Sequence, residues 1–131
     1  MDKKYLSHQY YFPENMDLLI IMLGTNDLLQ GRSLQEISFK MDRFLSGITI
    51  PPERILLVAP PPMRYGEWVQ NKALIERSNL LAQEYRSIAG KRGIRFADAG
   101  AWNVDITFDG VHFTESGHKA FAEGLRKELK R

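Results

Sequence analysis

Two nearly unbroken apolar runs, Leu18-Leu19-Ile20-Ile21-Met22-Leu23 and Ile55-Leu56-Leu57-Val58-Ala59, constrain the fold of this chain most. A strand with one wet face alternates apolar and polar residues. A continuous run belongs to a strand covered on both faces, as in a parallel sheet between helices. The two strands are read as Asp17–Leu23 and Arg54–Ala59, and a shorter signal, Ile94–Ala97, belongs nearer an edge.

Helix signals alternate with these strands. Ser33 and Glu36 form a capping-box pattern, which marks a helix start. Ile37, Met41, Phe44 and Leu45 then form one apolar stripe, and Gly47 is a stop. A second helix is expected over Asn71–Ala89, with Leu74, Leu81, Tyr85 and Ile88 on one face and Gly90 and Gly93 ending it. The last helix starts at Thr114 and is expected to bury Phe121, Leu125 and Leu129. Strand–helix alternation without repeats or linkers predicts one α/β domain over residues 1–131 with a parallel sheet.

Composition excludes several classes of function. The net charge is +2 and the cations are dispersed, so there is no dense basic face for nucleic acid. Without cysteine there is no disulfide framework and no thiolate nucleophile. No apolar run approaches the roughly 18 residues of a spanning helix, and no signal-peptide pattern opens the chain. The expected location is cytoplasmic, with no membrane partner. Asp98, Asp105, Asp109 and His112 match no recognised ligand spacing, so neither a metal nor a cofactor is expected.

Two short motifs carry chemistry. Asp109-Gly110-Val111-His112 precedes the helix start at Thr114. Histidine takes a proton from a hydroxyl near neutral pH, and does so well when a carboxylate holds its other ring nitrogen. Asp109 is the candidate orienter and His112 the candidate base. A bare Asp-x-x-His is equally what a surface loop carries. Gly24-Thr25-Asn26-Asp27 follows the first apolar run and puts an amide at the carboxyl edge of the sheet, where ligands of open α/β folds bind. Asn26 is a candidate donor to an oxyanion. Gly, Asn and Asp are also turn residues, and Asp27 reads as a loop or cap residue. Between the motifs, Pro60–Gln70 combines three prolines with Met63, Tyr65 and Trp68, which suits either a substrate-binding wall or a cap on the sheet.

In combination these stretches resemble the SGNH, or GDSL, hydrolase superfamily. Leu18–Asp27 is similar to its third conserved block and Asp109–His118 to its fifth. Val58-Ala59-Pro60-Pro61-Pro62-Met63 resembles a loop of the arylesterase and acyltransferase branch. The resemblance covers about residues 17–131. It implies a three-layer, flavodoxin-like α/β fold and hydrolysis of small carboxylic esters, aryl or short-acyl, by a serine–histidine–aspartate mechanism. Related acyl transfer is also implied. It makes Asp109 and His112 catalytic and Asn26 an oxyanion-hole donor, and assigns Pro62, Met63 and Trp68 to substrate binding.

The family's first block, with the nucleophilic serine, has no counterpart: no Gly-Asp-Ser occurs in these 131 residues. Ser7, Ser33, Ser38, Ser46, Ser78, Ser87 and Ser116 lack a strand-to-turn setting, and Ser33 and Ser116 read as helix-start residues. The N-terminal strands of the family fold are read as missing, and residues 1–16 as the end of a preceding helix. A non-catalytic remnant serving as a binding or assembly module is the alternative function, and a serine supplied by another polypeptide a third. The strand at Asp17–Leu23 would then be an unprotected edge, a template for pairing. A homo-oligomer is therefore expected, or cover from Tyr5, Leu6, Tyr10, Tyr11 and Phe12.

Overall fold

The computed structural model describes residues 12–13 and 15–131. Its sheet has three parallel strands in the order β1-β2-β3: β1 is Leu19–Ile21, β2 Ile55–Ala59 and β3 Arg95–Asp98. Leu19 pairs with Ile55 and Ile21 with Leu57, while Leu57 pairs with Phe96 and Ala59 with Asp98. The parallel arrangement brings the carboxyl ends of all three strands to one edge.

The helices are α1 (Thr25–Leu29), α2 (Leu34–Ser46), α3 (Lys72–Arg92) and α4 (Glu115–Leu129). The first was not foreseen, because five residues are too few for an apolar period to register. The Ser33 hydroxyl of α2 accepts from the Glu36 amide at 3.1 Å, and Gly47 caps its end. The Asn71 side chain accepts from Ala73 at the start of α3, and that of Thr114 accepts from Gly117 at the start of α4. Gly90 does not stop α3. The helix runs three residues past Ala89 and ends at Gly93, whose left-handed backbone suits glycine.

Two apolar clusters lie on opposite faces of the sheet, giving three layers. Ile21, Ile55, Leu57 and Ala59 pack with Ile37, Met41 and Leu45 of α2 and with Leu81, Tyr85 and Ile88 of α3. Leu56, Val58 and Ala97 face the other way, toward Trp102 and toward Phe121 and Leu125 of α4. Every side chain of β2 is buried, as its unbroken apolar run requires.

Strand β1 departs from expectation. It is three residues long rather than seven, and Ile20 is 40% exposed and Leu23 51%. Alternation puts Ile20 with Leu18 and Met22 on the α4 face, where only Leu18 and Met22 find partial cover. Among the described residues no strand pairs with its outer side. Leu129 is also exposed, at 43%. The last turn of α4 is held instead by Arg95, which donates to the Glu128 carbonyl at 2.9 Å.

The expectation of a helix end before β1 is not met at residues 12–13 and 15–16. Pro13 and Met16 close a turn there, and Phe12 and Met16 pack against the main cluster. Tyr5, Leu6, Tyr10 and Tyr11 lie outside the described residues. Among the described residues no helix is long and apolar enough to cross a membrane.

Candidate active site

The loop between β3 and α4 folds back on itself. The Thr107 amide donates to the His112 carbonyl at 2.7 Å and the Thr114 amide to Asp105 at 3.1 Å, so residues 105–107 run antiparallel to 112–114. Asp109-Gly110-Val111-His112 closes the tip. Gly110 has φ +89 there, and an added Cβ would run into the Arg64 carbonyl, so both conformation and space require glycine.

The Asp109 carboxylate divides its two oxygens. Its Oδ1 accepts from the Val111 amide at 2.8 Å, the His112 amide at 2.9 Å and the Thr107 hydroxyl at 2.8 Å. Its Oδ2 lies 2.5 Å from His112 Nδ1. Burial alone would raise the Asp109 pKa, but the donated hydrogen bonds outweigh it and hold the carboxyl far below the usual carboxylate range. The carboxylate is thus ionised and aimed at an imidazole. The Asp109 side chain is 10% exposed and that of His112 59%. With Nδ1 occupied, Nε2 is the nitrogen left to exchange a proton.

A second loop, after β2, braces the first. Arg64 donates its amide to the Gly110 carbonyl, Glu67 to Phe108 and Trp68 to Asp109, each at 3.0 Å. These bonds bring the Trp68 ring edge-on to His112, with centroids 5.0 Å apart. Tyr65, Trp68 and Phe108 are all exposed. Pro62 and Met63 lie elsewhere. Both line a cavity of about 290 Å³ with Asn79 and Gly100, among whose lining residues neither His112 nor Trp68 is found. Met63 is 5% exposed and packs in the main core. Its amide donates to the Ser78 hydroxyl at 2.9 Å, which in turn donates to the Ile75 carbonyl. Ser78 is therefore committed to structure.

Asn26 is exposed in the first turn of α1, just past the carboxyl end of β1. It shares the sheet edge with the Asp109–His112 loop and lines a cavity of about 400 Å³ with Met22, Lys40, Met41, Phe44 and Tyr85; His112 is not among its lining residues. Asp27 is paired with Arg32 at 3.3 Å and Lys40 at 3.4 Å.

Two supporting residues escaped the sequence reading. Tyr85 read only as the core face of a helix. It is 1% exposed, and its hydroxyl donates to the Leu23 carbonyl at 2.7 Å, just before the Asn26 turn. Burial, with the negative Asp27 nearby, pushes its pKa well above the usual phenol range, so it stays a donor. Gly24 has φ +124 and sits against that hydroxyl, with no room for a Cβ. Thr107 stands outside every motif, and no signal in the sequence marks it.

No curated protein sequence matches the chain. Solved structures do. A protein of Agrobacterium tumefaciens str. C58 proposed to be an arylesterase aligns at 31% identity and TM-score 0.72, over 87% of this chain and 60% of its own. The M. smegmatis aryl esterase aligns at 28% and 0.73, over 97% and 64%. A carbohydrate acetylesterase from Sinorhizobium meliloti aligns at 25% and 0.73, over the same shares. The chain thus spans less than two thirds of the length of each. The sheet order and helix layers above are those of a larger fold seen in part, and residues 3–120 match the model of the GDSL-like lipase/acylhydrolase family. It is to this family that the chain belongs.

Proposed function

We propose that the chain provides the acid–base half of an ester hydrolase acting on small carboxylic esters, aryl or short-acyl. The observation that carries this reading is the Asp109–His112 pair, 2.5 Å apart, with its carboxylate held ionised. His112 Nε2 takes the proton of a serine hydroxyl as that oxygen attacks the ester carbonyl. Asp109 stabilises the imidazolium, and the Asn26 amide donates to the tetrahedral oxyanion. His112 then returns the proton to the departing alcohol, and water repeats the cycle on the acyl-serine. Trp68 flanks the imidazole as the substrate wall, whereas Pro62 lies away from it and Met63 is buried in the core.

The serine is the part these 131 residues do not supply. Ser33 caps α2 and Ser78 is buried and doubly bonded. Ser46 donates to the Arg43 carbonyl, and Ser116 bonds Thr114 at the start of α4. The test is complementation: the chain is mixed with a separate polypeptide bearing a strand that ends in Gly-Asp-Ser. Hydrolysis of a short aryl ester should appear in the assembled complex and vanish with His112→Ala. Assembly without turnover would refute the reading.

A further inference from the structure

Oxygen Oδ1 of Asp109 accepts three hydrogen bonds while Oδ2 faces only His112. Two of the three donors, the amides of Val111 and His112, belong to the turn itself. They hold one oxygen from within the turn, and a third donor outside it adds a further constraint on rotation about the Cβ–Cγ bond. Thr107 provides that constraint from the opposite strand of the loop. Its hydroxyl reaches Oδ1 at 2.8 Å. Its own backbone is pinned at both polar groups, since its amide donates to the His112 carbonyl and its carbonyl accepts from Gly110 at 3.0 Å. The residue is half-buried, so water competes weakly for the hydroxyl.

Resting on the catalytic reading of Asp109 and His112, we infer that Thr107 is a positioning residue. Its hydroxyl fixes the rotation of the Asp109 carboxylate so that Oδ2, and not a mobile average of both oxygens, meets His112 Nδ1. The Thr107 hydroxyl does not touch the imidazole and reaches it only through Asp109.

The test uses the 131-residue chain labelled with ¹⁵N, and reads the His112 imidazole by NMR. In the wild type the Nδ1–H proton should be bonded, downfield and slow to exchange with water. Loss of one hydrogen bond to a charged group corresponds to about a ten-fold change in an equilibrium. In Thr107→Val and Thr107→Ala that proton should therefore exchange about ten-fold faster, with the amide spectrum outside the loop unchanged. Thr107→Ser, which keeps the hydroxyl, should restore the slow rate. An unchanged rate in both hydroxyl-free variants would overturn the inference. So would a slower rate, which would mean that Thr107 merely weakens the basicity of Asp109. Loss of the native amide spectrum in both would assign the hydroxyl to folding and overturn it as well. A wild-type chain without a bonded Nδ1–H would instead refute the catalytic pairing itself.

Discussion

Position 110 combines a left-handed backbone, φ +89, with no room for a Cβ beside the Arg64 carbonyl and Val69. Gly110→Ala must strain the backbone and push the two loops apart, at a cost of about 1–3 kcal/mol. Thermal unfolding should register that loss, and the indole of Trp68 should change its emission as it leaves His112. Asp109 predicts a pH effect of definite sign. Its folded carboxyl titrates below its unfolded one, so the ionised form adds stability above about pH 4, where the unfolded group is charged. That stability is lost as pH falls toward the folded value. Asp109→Asn should flatten the acid limb of the stability curve below about pH 4; an acid limb as steep as the wild type's would contradict this. The spacing Asp-Gly-x-His was enough to expect the Asp109–His112 pair, because three residues and a glycine can turn one side chain onto the other. Thr107 was illegible, since nothing about a threonine says that its hydroxyl will find a carboxylate two residues on.

At the scale of elements, a continuous apolar run located β2 and a shorter signal β3, while the Ser33–Glu36 capping box located the start of α2 and apolar spacing located α3 and α4. What failed were boundaries ruled by tertiary contacts. Gly90 is tolerated inside α3, where its neighbour Ala89 is buried against the core. The run at Leu18–Leu23 yields only three strand residues, and among the described residues β1 has a partner on one side alone. Tyr85 links two elements that sequence treats separately: from α3 it holds the end of β1 through the Leu23 carbonyl. Tyr85→Phe should keep the packing and leave that carbonyl without its donor, at about 1–3 kcal/mol. Hydrogen exchange should report the change locally. The Leu28 amide, bonded to the Gly24 carbonyl at 3.0 Å in α1, should exchange faster, while amides in β2 follow only the global loss. Unchanged exchange at Leu28 would mean that α1 stands without the tyrosine.

For the molecule as a whole, the open side of β1 matters most. Ile20 is exposed on a strand whose outer side has no partner among the described residues, and such an edge favours pairing with another chain. Covering a few hundred Å² of apolar surface is worth several kcal/mol at about 25 cal/mol per Å². At micromolar concentration the chain should sediment as a dimer or larger, and a monodisperse monomer would contradict this. By itself the chain should hydrolyse a short aryl ester little or not at all, since removing a triad serine costs on the order of 10⁶ in kcat in subtilisin. Robust turnover that His112→Ala abolishes would reverse that expectation and point to one of the serines in this chain. The two loops at the sheet edge are joined through main-chain atoms, Arg64 to Gly110, Glu67 to Phe108 and Trp68 to Asp109. A main-chain seam makes no demand on most of the side chains it carries. Positions 65, 67 and 108 can drift through unrelated residues over evolutionary time while the imidazole stays put, which makes this rim the place where related chains can diverge in what they accept.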